Sequence, residues 1–325
     1  MIVNLAIGSS GHGVGHDQIH LYNARVSRSP RQEPLARAYA ACQSLARSHY
    51  ENFPVASRLL PASMRPHVAA VYAFARVADD IADEGTAPPA TRQSQLRAWQ
   101  SRLHDAVAAG RDTQPSETRD DLIVVALGHS IRSLGLPVAL FDDLLSAFGQ
   151  DIMTTRYPSW PDVLDYCRRS ANPVGRLVLR IAGYHDEALD RSSDALCTAL
   201  QLTNFWQDFG PDWRSGRLYV PRDVQDEYGA READLSGGPL TPDWRRAIEA
   251  CVGFTRAAFH EGRAVCDGVG GRLRLELRLT WLGGQRILER VEAARAHLLE
   301  HRPSLGAGDV PPLLWRAVRW KGTAA

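Results

Sequence analysis

The sequence predicts an all-α protein, and three observations carry that expectation. From about residue 36 onward the helix formers alanine, leucine and arginine dominate, and apolar residues recur at helical spacing. Strand-like alternation is scarce. Glycine and proline gather in short breaks between the periodic stretches: "EGTAPPAT" at 84–91, "LGLP" at 134–137, "RYPSWP" at 156–161 and "SGGPLTPD" at 236–243. No internal repeat and no long linker divides this region, so residues 36–325 read as one large helical bundle. A chain of 325 residues, 44% of them hydrophobic, can bury the core that such a bundle needs.

Residues 1–35 are rich in Gly, Ser and Arg, lack periodicity and read as a mobile arm. The arm holds two decoys. "IVNLAIGSSGHGVG" looks like a strand before a glycine loop, but the GxGxxG order is absent and no βαβ pattern follows. His12, His16 and His20 have i, i+4, i+8 spacing, but interleaved glycines oppose a helix there. Beyond the arm the periodicity predicts helices near 36–50, 63–83, 91–108, 118–134, 137–152, 160–168, 173–183, 192–209, 241–267, 272–301 and 311–319. Pro137 suits a first helical turn and Ser192 an N-cap before "SDALCTAL".

The totals exclude several function classes. The 38 basic and 37 acidic side chains nearly cancel, and a net charge of +1 gives no reason to expect a nucleic-acid partner. Five cysteines (Cys42, Cys167, Cys197, Cys251, Cys266) form no CxxC pair, and the odd count fits free thiols in a reducing cytoplasm. No apolar run approaches the ~18 residues of a membrane span. The first twenty residues lack the basic start and apolar core of a signal peptide.

The chemistry concentrates in two acidic stripes. The first ends the apolar stretch "AAVYAFARVADDIADEG" with Asp79, Asp80, Asp83 and Glu84. Like charges at i, i+3 and i, i+4 repel, at about 0.2–0.5 kcal/mol per pair on an isolated helix. They also stand near a helix C-terminus, where the macrodipole disfavours anions. The second stripe is Asn204, Asp208 and Asp212, flanked by Leu200, Leu202 and Phe205. Ionised carboxylates beside such residues need a partner or a metal. Hard oxygens without nearby His or Cys point to Mg²⁺, which completes its shell with water and phosphate oxygens. The bland alternatives are a solvated acidic helix end for the first stripe and a polar helix face capped by Gly210 for the second. Two such stripes in one apolar bundle weaken both, because facing helices of this kind make a cage for Mg²⁺ and a polyanion. Arg76 shares a face with Asp79 and Asp83, and Arg217 follows the second stripe. Arginine's planar fork suits phosphate. Gly210-Pro211 should kink or end the second helix just past Asp208, leaving Asp212 to reach the metal from a bent turn or to miss it.

At these residues the chain resembles the squalene/phytoene synthase family. "RVADDIAD" and "NFWQDFGPD", with "YCRRSANPVG" between them, match its paired motifs, and the resemblance covers roughly residues 36–320. "HYENFPVASRLLP", "SANPVGRLVL" and "LRLTWLGGQRILERV" are similar to its bacterial branch that forms hydroxysqualene for squalene and hopanoids. The resemblance implies an all-α class I isoprenoid synthase bundle around a central apolar cavity. It implies ionisation of presqualene diphosphate, rearrangement of the carbocation and capture by water. It assigns several Mg²⁺ ions to Asp79, Asp80, Asp83, Asn204, Asp208 and Asp212, with no NADPH. It assigns Tyr72, Arg76, Asn172, Arg217 and Phe53 to substrate, and Tyr166 to the reacting centre. It further implies hand-over from a presqualene diphosphate synthase and to a hydroxysqualene-reducing enzyme, in the cytoplasm or at the inner face of the membrane.

Three departures from the family pattern bear on substrate. Tyr50-Glu51-Asn52 stands where members that condense two prenyl diphosphates often carry Ser-Lys-Ser, so a cation for a second diphosphate is replaced by Glu51. Pro211 takes the place of a carboxylate, and "SANPVG" replaces a Val-Ala-Gly kink. The first two favour a substrate with one diphosphate. The alternative within the family is head-to-head condensation, giving presqualene diphosphate or phytoene. Outside it stand a di-iron protein, opposed by the absence of ExxH, an HD-type metal hydrolase using the pairs His104-Asp105 and His185-Asp186, and a non-catalytic scaffold. The tail "PPLLWRAVRWKG" mixes Leu314, Trp315 and Trp320 with Arg316, Arg319 and Lys321, a composition that can lie on a membrane or pack on the bundle.

Overall fold

The computed structural model describes residues 32–48, 59–83, 86–110 and 118–321. These form helices α1 (Gln32–Ser48), α2 (Arg65–Asp83), α3 (Pro89–Ala109), α4 (Arg119–Leu134), α5 (Ala139–Asp151), α6 (Trp160–Ser170), α7 (Asn172–Ile181), α8 (Glu187–Gln207), α9 (Phe209–Arg214), α10 (Arg222–Tyr228), α11 (Pro242–Glu261), α12 (Gly271–Ala293) and α13 (Val310–Val318). Among the described residues there is no strand, and Arg156 and Leu218 form one isolated parallel bridge.

Two helices organise the packing. α2 runs through the first half, against α1, α3, α4 and α5. Alanines fill its buried face (Ala69, Ala70, Ala73, Ala75, Ala78, Ala82), so neighbouring helices approach closely, while Phe74 stacks on Trp99 at 5.2 Å and meets Phe141 edge-on. α8 plays the same part in the second half, against α6, α7, α11 and α12. Its crossings depend on missing Cβ atoms. A Cβ on Gly175 of α7 would lie 2.4 Å from Ser193 Oγ, and one on Gly262 would lie 2.5 Å from the Leu196 nitrogen. Contacts of α5 with α6 and α7, and of α2 with α7, join the halves into one continuous apolar core.

Several boundaries differ from those predicted, each for a tertiary reason. α1 begins at Gln32, inside the span read as arm; the remaining arm, with its three histidines, lies outside the described residues. Ser192 is not an N-cap. α8 starts five residues earlier under Asp186, whose carboxylate accepts from Leu189 N at 2.8 Å, while Ser192 Oγ accepts from Val265 N at 2.8 Å. α11 stops at Glu261 because the chain turns at Gly262 to pass over α8. α12 stops at Ala293 rather than 301, freeing residues 294–305 to cross the second acidic motif. Pro137 precedes α5 by two residues instead of opening it.

One buried group stands apart from this apolar packing. Glu276 on α12 is only 7% exposed, its Oε2 has no hydrogen-bond partner among the described residues, and desolvation alone pushes its carboxyl up to about 8. Its folded pKa therefore lies above the unfolded value. Between about pH 4.5 and 8 the folded state holds a proton that the unfolded state has lost, so stability falls as pH rises through that window. Glu276→Met removes the carboxyl at similar volume. It is expected to raise urea-unfolding stability at pH 8 by on the order of 2 kcal/mol, and by much less at pH 5. Equal gains at both pH values would refute this account.

Candidate active site

The first acidic motif occupies the last turn and a half of α2. Arg76, one turn earlier, forks onto it: Nη1 reaches Asp79 Oδ2 at 3.2 Å and Nη2 reaches Asp80 Oδ1 at 2.5 Å. Arg76 thus neutralises two of the carboxylates at the negative end of the helix. Tyr72, a further turn back, has a buried hydroxyl with no hydrogen-bond partner among the described residues. Burial raises its pKa; Arg76 opposes this, and Asp79 and Asp80 add to it. Asp83 closes the helix and turns to another element.

The second motif shows where the helix really breaks. α8 ends at Gln207, with the Asp208 nitrogen still bonded to Asn204 O at 2.8 Å. Asp208 leaves the helical path at φ −94°, ψ 15°, and α9 begins at Phe209 with Pro211 in its first turn. The interruption therefore lies at Asp208 itself, before Gly210-Pro211. Proline's missing N–H costs nothing in a first turn, where no intrahelical acceptor exists for it. The Asp212 nitrogen still reaches Asp208 O at 2.8 Å, which keeps Asp212 one turn beyond Asp208. Asn204, Asp208 and Asp212 are all buried.

Arg217 joins the two motifs. It follows α9 in an extended segment, and its Nη2 lies 2.5 Å from Asp83 Oδ1, across 134 residues of sequence. The segment is held from behind by Arg156, which forks onto Glu232 with two bonds of 2.9 Å and donates to Gly216 O at 2.6 Å. Burial, and then the charge of Asp208, pushes Asp212 up to about 7, with Asp83 adding to the rise. Its Oδ2 is buried without a partner among the described residues.

Two functional candidates escaped the sequence. Arg302, in the segment after α12, pairs with Asp208 through Nε and Nη2. The same segment crosses α9 so closely that a Cβ on Gly210 would lie 2.5 Å from Leu299 O and 2.6 Å from Leu298 O. Gln207 Nε2 donates to Pro303 O at 2.6 Å and Arg214 Nη1 to Leu299 O at 2.8 Å. Gly210 is thus a backbone crossing point, and the helix-cap reading is set aside. The other candidate is Asp151, at the end of α5, which accepts the Tyr166 hydroxyl proton at 2.7 Å. Its Oδ1 is buried and unpartnered among the described residues, and burial pushes its carboxyl up to about 7. Tyr166 sits among aromatic rings: Tyr157 at 5.7 Å, Phe205 at 6.0 Å and Tyr219 at 6.3 Å, with Tyr219 stacked on Phe205 at 3.8 Å. Arg302 carried no sequence signal. Tyr219 did, since it alternates with Arg217 in "RLYVP".

The remaining assignments divide. Asn172 begins α7, and its carbonyl oxygen accepts from Thr198 Oγ1 at 3.0 Å, so the structure ties it to α8 rather than to the carboxylates. Phe53, with Glu51 and Glu84, lies outside the described residues. Neither HD pair is a catalytic dyad: His104 Nε2 bonds Asp142 at 2.8 Å and Asp186 is the α8 cap. No three His, Cys, Asp or Glu side chains among the described residues already form a metal cage. The donor set still fits Mg²⁺. It consists of hard oxygens, the orphaned Asp212 Oδ2 is among them, and Mg²⁺ uses few protein ligands when phosphate and water complete its shell.

The family profile described as squalene/phytoene synthase matches residues 46–309. A hydroxysqualene synthase of Zymomonas mobilis is 40% identical over 212 residues, 64% of this chain and 67% of that protein. One from Rhodopseudomonas palustris is 35% identical over 256 residues, 76% of this chain and 83% of that protein. A phytoene synthase of Mycobacterium tuberculosis is 34% identical over 225 residues, 69% of this chain and 71% of that protein. The crystal structure of the squalene synthase HpnC from Alicyclobacillus acidocaldarius superposes with a TM-score of 0.72 at 40% identity, covering 80% of this chain and 94% of that one.

The crossing at Gly210 gives a direct test. Gly210→Ala is expected to push the Leu298–Pro303 segment outward, costing about 1–3 kcal/mol in urea unfolding. It should also weaken protection by Mg²⁺ plus diphosphate in thermal unfolding, as Arg302→Ala should through loss of the Asp208 pair. Wild-type stability in Gly210→Ala would mean that the two backbones do not cross as described.

Proposed function

We propose that this chain, which belongs to the squalene/phytoene synthase family and is a synthase acting on a prenyl diphosphate, converts presqualene diphosphate to hydroxysqualene. The observation that carries the proposal is the meeting of the two carboxylate-bearing helix ends through Arg217 and Asp83, combined with relatives named hydroxysqualene synthase at 35–40% identity. When bound, Mg²⁺ held by Asp79, Asp80 and Asp83 on one side and Asn204, Asp208 and Asp212 on the other would place positive charge on the leaving diphosphate.

The protein's own groups do the rest. Arg76, Arg217 and Arg302 hold the carboxylates in their ion pairs and can turn to phosphate oxygens, which their planar forks suit. Tyr72, whose hydroxyl has no partner among the described residues, can donate to the diphosphate. The faces of Tyr166, Tyr157, Tyr219 and Phe205 offer negative quadrupole density to a carbocation. Because Tyr166 Oη gives its proton to Asp151, its lone pairs remain to hold the water that captures the cation, and Asp151 Oδ1 can accept the proton that this water releases. Asn172 and Phe53 are proposed to bind substrate. The protein would act in the cytoplasm, between a synthase that supplies presqualene diphosphate and an enzyme that reduces hydroxysqualene.

A second reading, head-to-head condensation to presqualene diphosphate or phytoene, is supported by the phytoene synthase relative. Glu51 and Pro211 weigh against it. Product analysis separates the two. With presqualene diphosphate and Mg²⁺, hydroxysqualene is expected whether or not NADPH is present. With farnesyl diphosphate alone, accumulation of presqualene diphosphate would overturn the assignment. Asp79→Asn and Asp208→Asn are each expected to lower turnover by at least about a hundredfold with the helical circular dichroism unchanged. Retained activity in either would break the metal assignment.

A further inference from the structure

We propose that α13 is a docking surface for an anionic lipid membrane. No helix among the described residues is long and apolar enough to cross a membrane, so any contact must be made from the surface. Five large hydrophobic side chains stand exposed among those residues, and three of them share this nine-residue helix: Leu314 at 39%, Trp315 at 60% and Val318 at 68%. The helix is nonetheless well seated. Leu313 and Ala317 are buried against α12, and the following Trp320 meets Trp281 edge-on at 5.2 Å, beneath the Arg263 guanidinium at 4.1 Å. The Leu314, Trp315 and Val318 stripe therefore faces outward because the opposite stripe is already used. A fixed helix presenting apolar side chains to solvent is a surface waiting for a cover.

Charge selects the kind of cover. Arg316, Arg319 and Lys321 are all exposed, and no acidic residue lies between Val310 and Lys321. Arg316 and Arg319 fall along one flank of the apolar stripe, and the Arg319 guanidinium lies over the Trp315 ring at 4.4 Å. The carboxylate just before the helix, Asp309, is paired with Arg290 at 2.7 Å, and Glu289 on α12 is paired with Arg286 at 2.9 Å, so neither is left uncompensated. A tryptophan beside aliphatic side chains, rimmed by cations on one edge, matches the headgroup boundary of an anionic bilayer. The ring and the aliphatic groups enter the acyl boundary, while the guanidinium groups meet phosphates. The helix would lie in the plane of the membrane.

Sedimentation of the whole protein with vesicles tests the inference. Wild type is expected to pellet with phosphatidylglycerol-containing vesicles and not with pure phosphatidylcholine vesicles, and to be released by high salt. The triple variant Arg316→Glu, Arg319→Glu, Lys321→Glu should bind the anionic vesicles roughly a hundredfold less well, at about fivefold per cation. The triple variant Leu314→Ser, Trp315→Ser, Val318→Ser should lose binding while keeping its thermal unfolding profile, since all three side chains are exposed. Failure of wild type to pellet with anionic vesicles would overturn the proposal, as would wild-type binding by both variants. Self-association without vesicles that the serine variant abolishes would assign the stripe to a second copy of the chain, and would also overturn it.

Discussion

Two helix C-termini, each bearing carboxylates, are brought together against their own electrostatics. α2 ends in Asp79, Asp80 and Asp83, and α8 ends at Asn204 and Asp208, with Asp212 one turn on. Each end already carries the negative pole of its helix. Three arginines hold the arrangement: Arg76 within α2, Arg217 between the motifs and Arg302 from the C-terminal segment. Asp212 Oδ2 is left over, buried and raised in pKa. Such an arrangement is stable enough to fold and unsatisfied enough to bind. On the proposed function, cations and a diphosphate would relieve the charge repulsion that the three arginines only partly neutralise.

The surrounding architecture serves that convergence. Alanines on α2 and glycines at Gly175 and Gly262 let helices cross close to α8, which fixes where its end points. Gly210 lets a distant segment lie directly on α9, delivering Arg302 to Asp208. Beside the carboxylates, the ring cluster around Tyr166 supplies π faces, and Asp151 fixes the direction of its hydroxyl. The carboxylates and the aromatic cluster are thus neighbours, joined through Asp151, whose pKa is shifted by burial and by both Arg217 and Asp83; the proposed reaction would use the first for the leaving group and the second for the cation.

Read from the sequence alone, "NFWQDFGPDW" posed a conflict between a polar stripe and a helix breaker. The structure resolves it by moving the break to Asp208, so the proline falls in a first turn where it costs nothing. The proline therefore does not separate Asp212 from Asp208; it falls in the first turn of the helix that carries Asp212. The glycine before it answers to a backbone 88 residues away, a demand that no local pattern records.

What the sequence determined by itself is what local periodicity and residue chemistry can encode. That includes the all-α class, most helix positions, and both acidic stripes with Arg76 and Arg217 beside them. These follow from 3.6-residue spacing and from carboxylates placed where a solitary helix would reject them. Tertiary structure alone decided the rest. Ser192 became a buried tie to Val265 instead of a cap, α12 stopped early, and Arg302 and Asp151 joined the site. Each depends on contacts between residues far apart in the chain. Such contacts are set by which helix faces meet and by where a missing Cβ lets backbones touch, and neither leaves a periodic trace in the sequence.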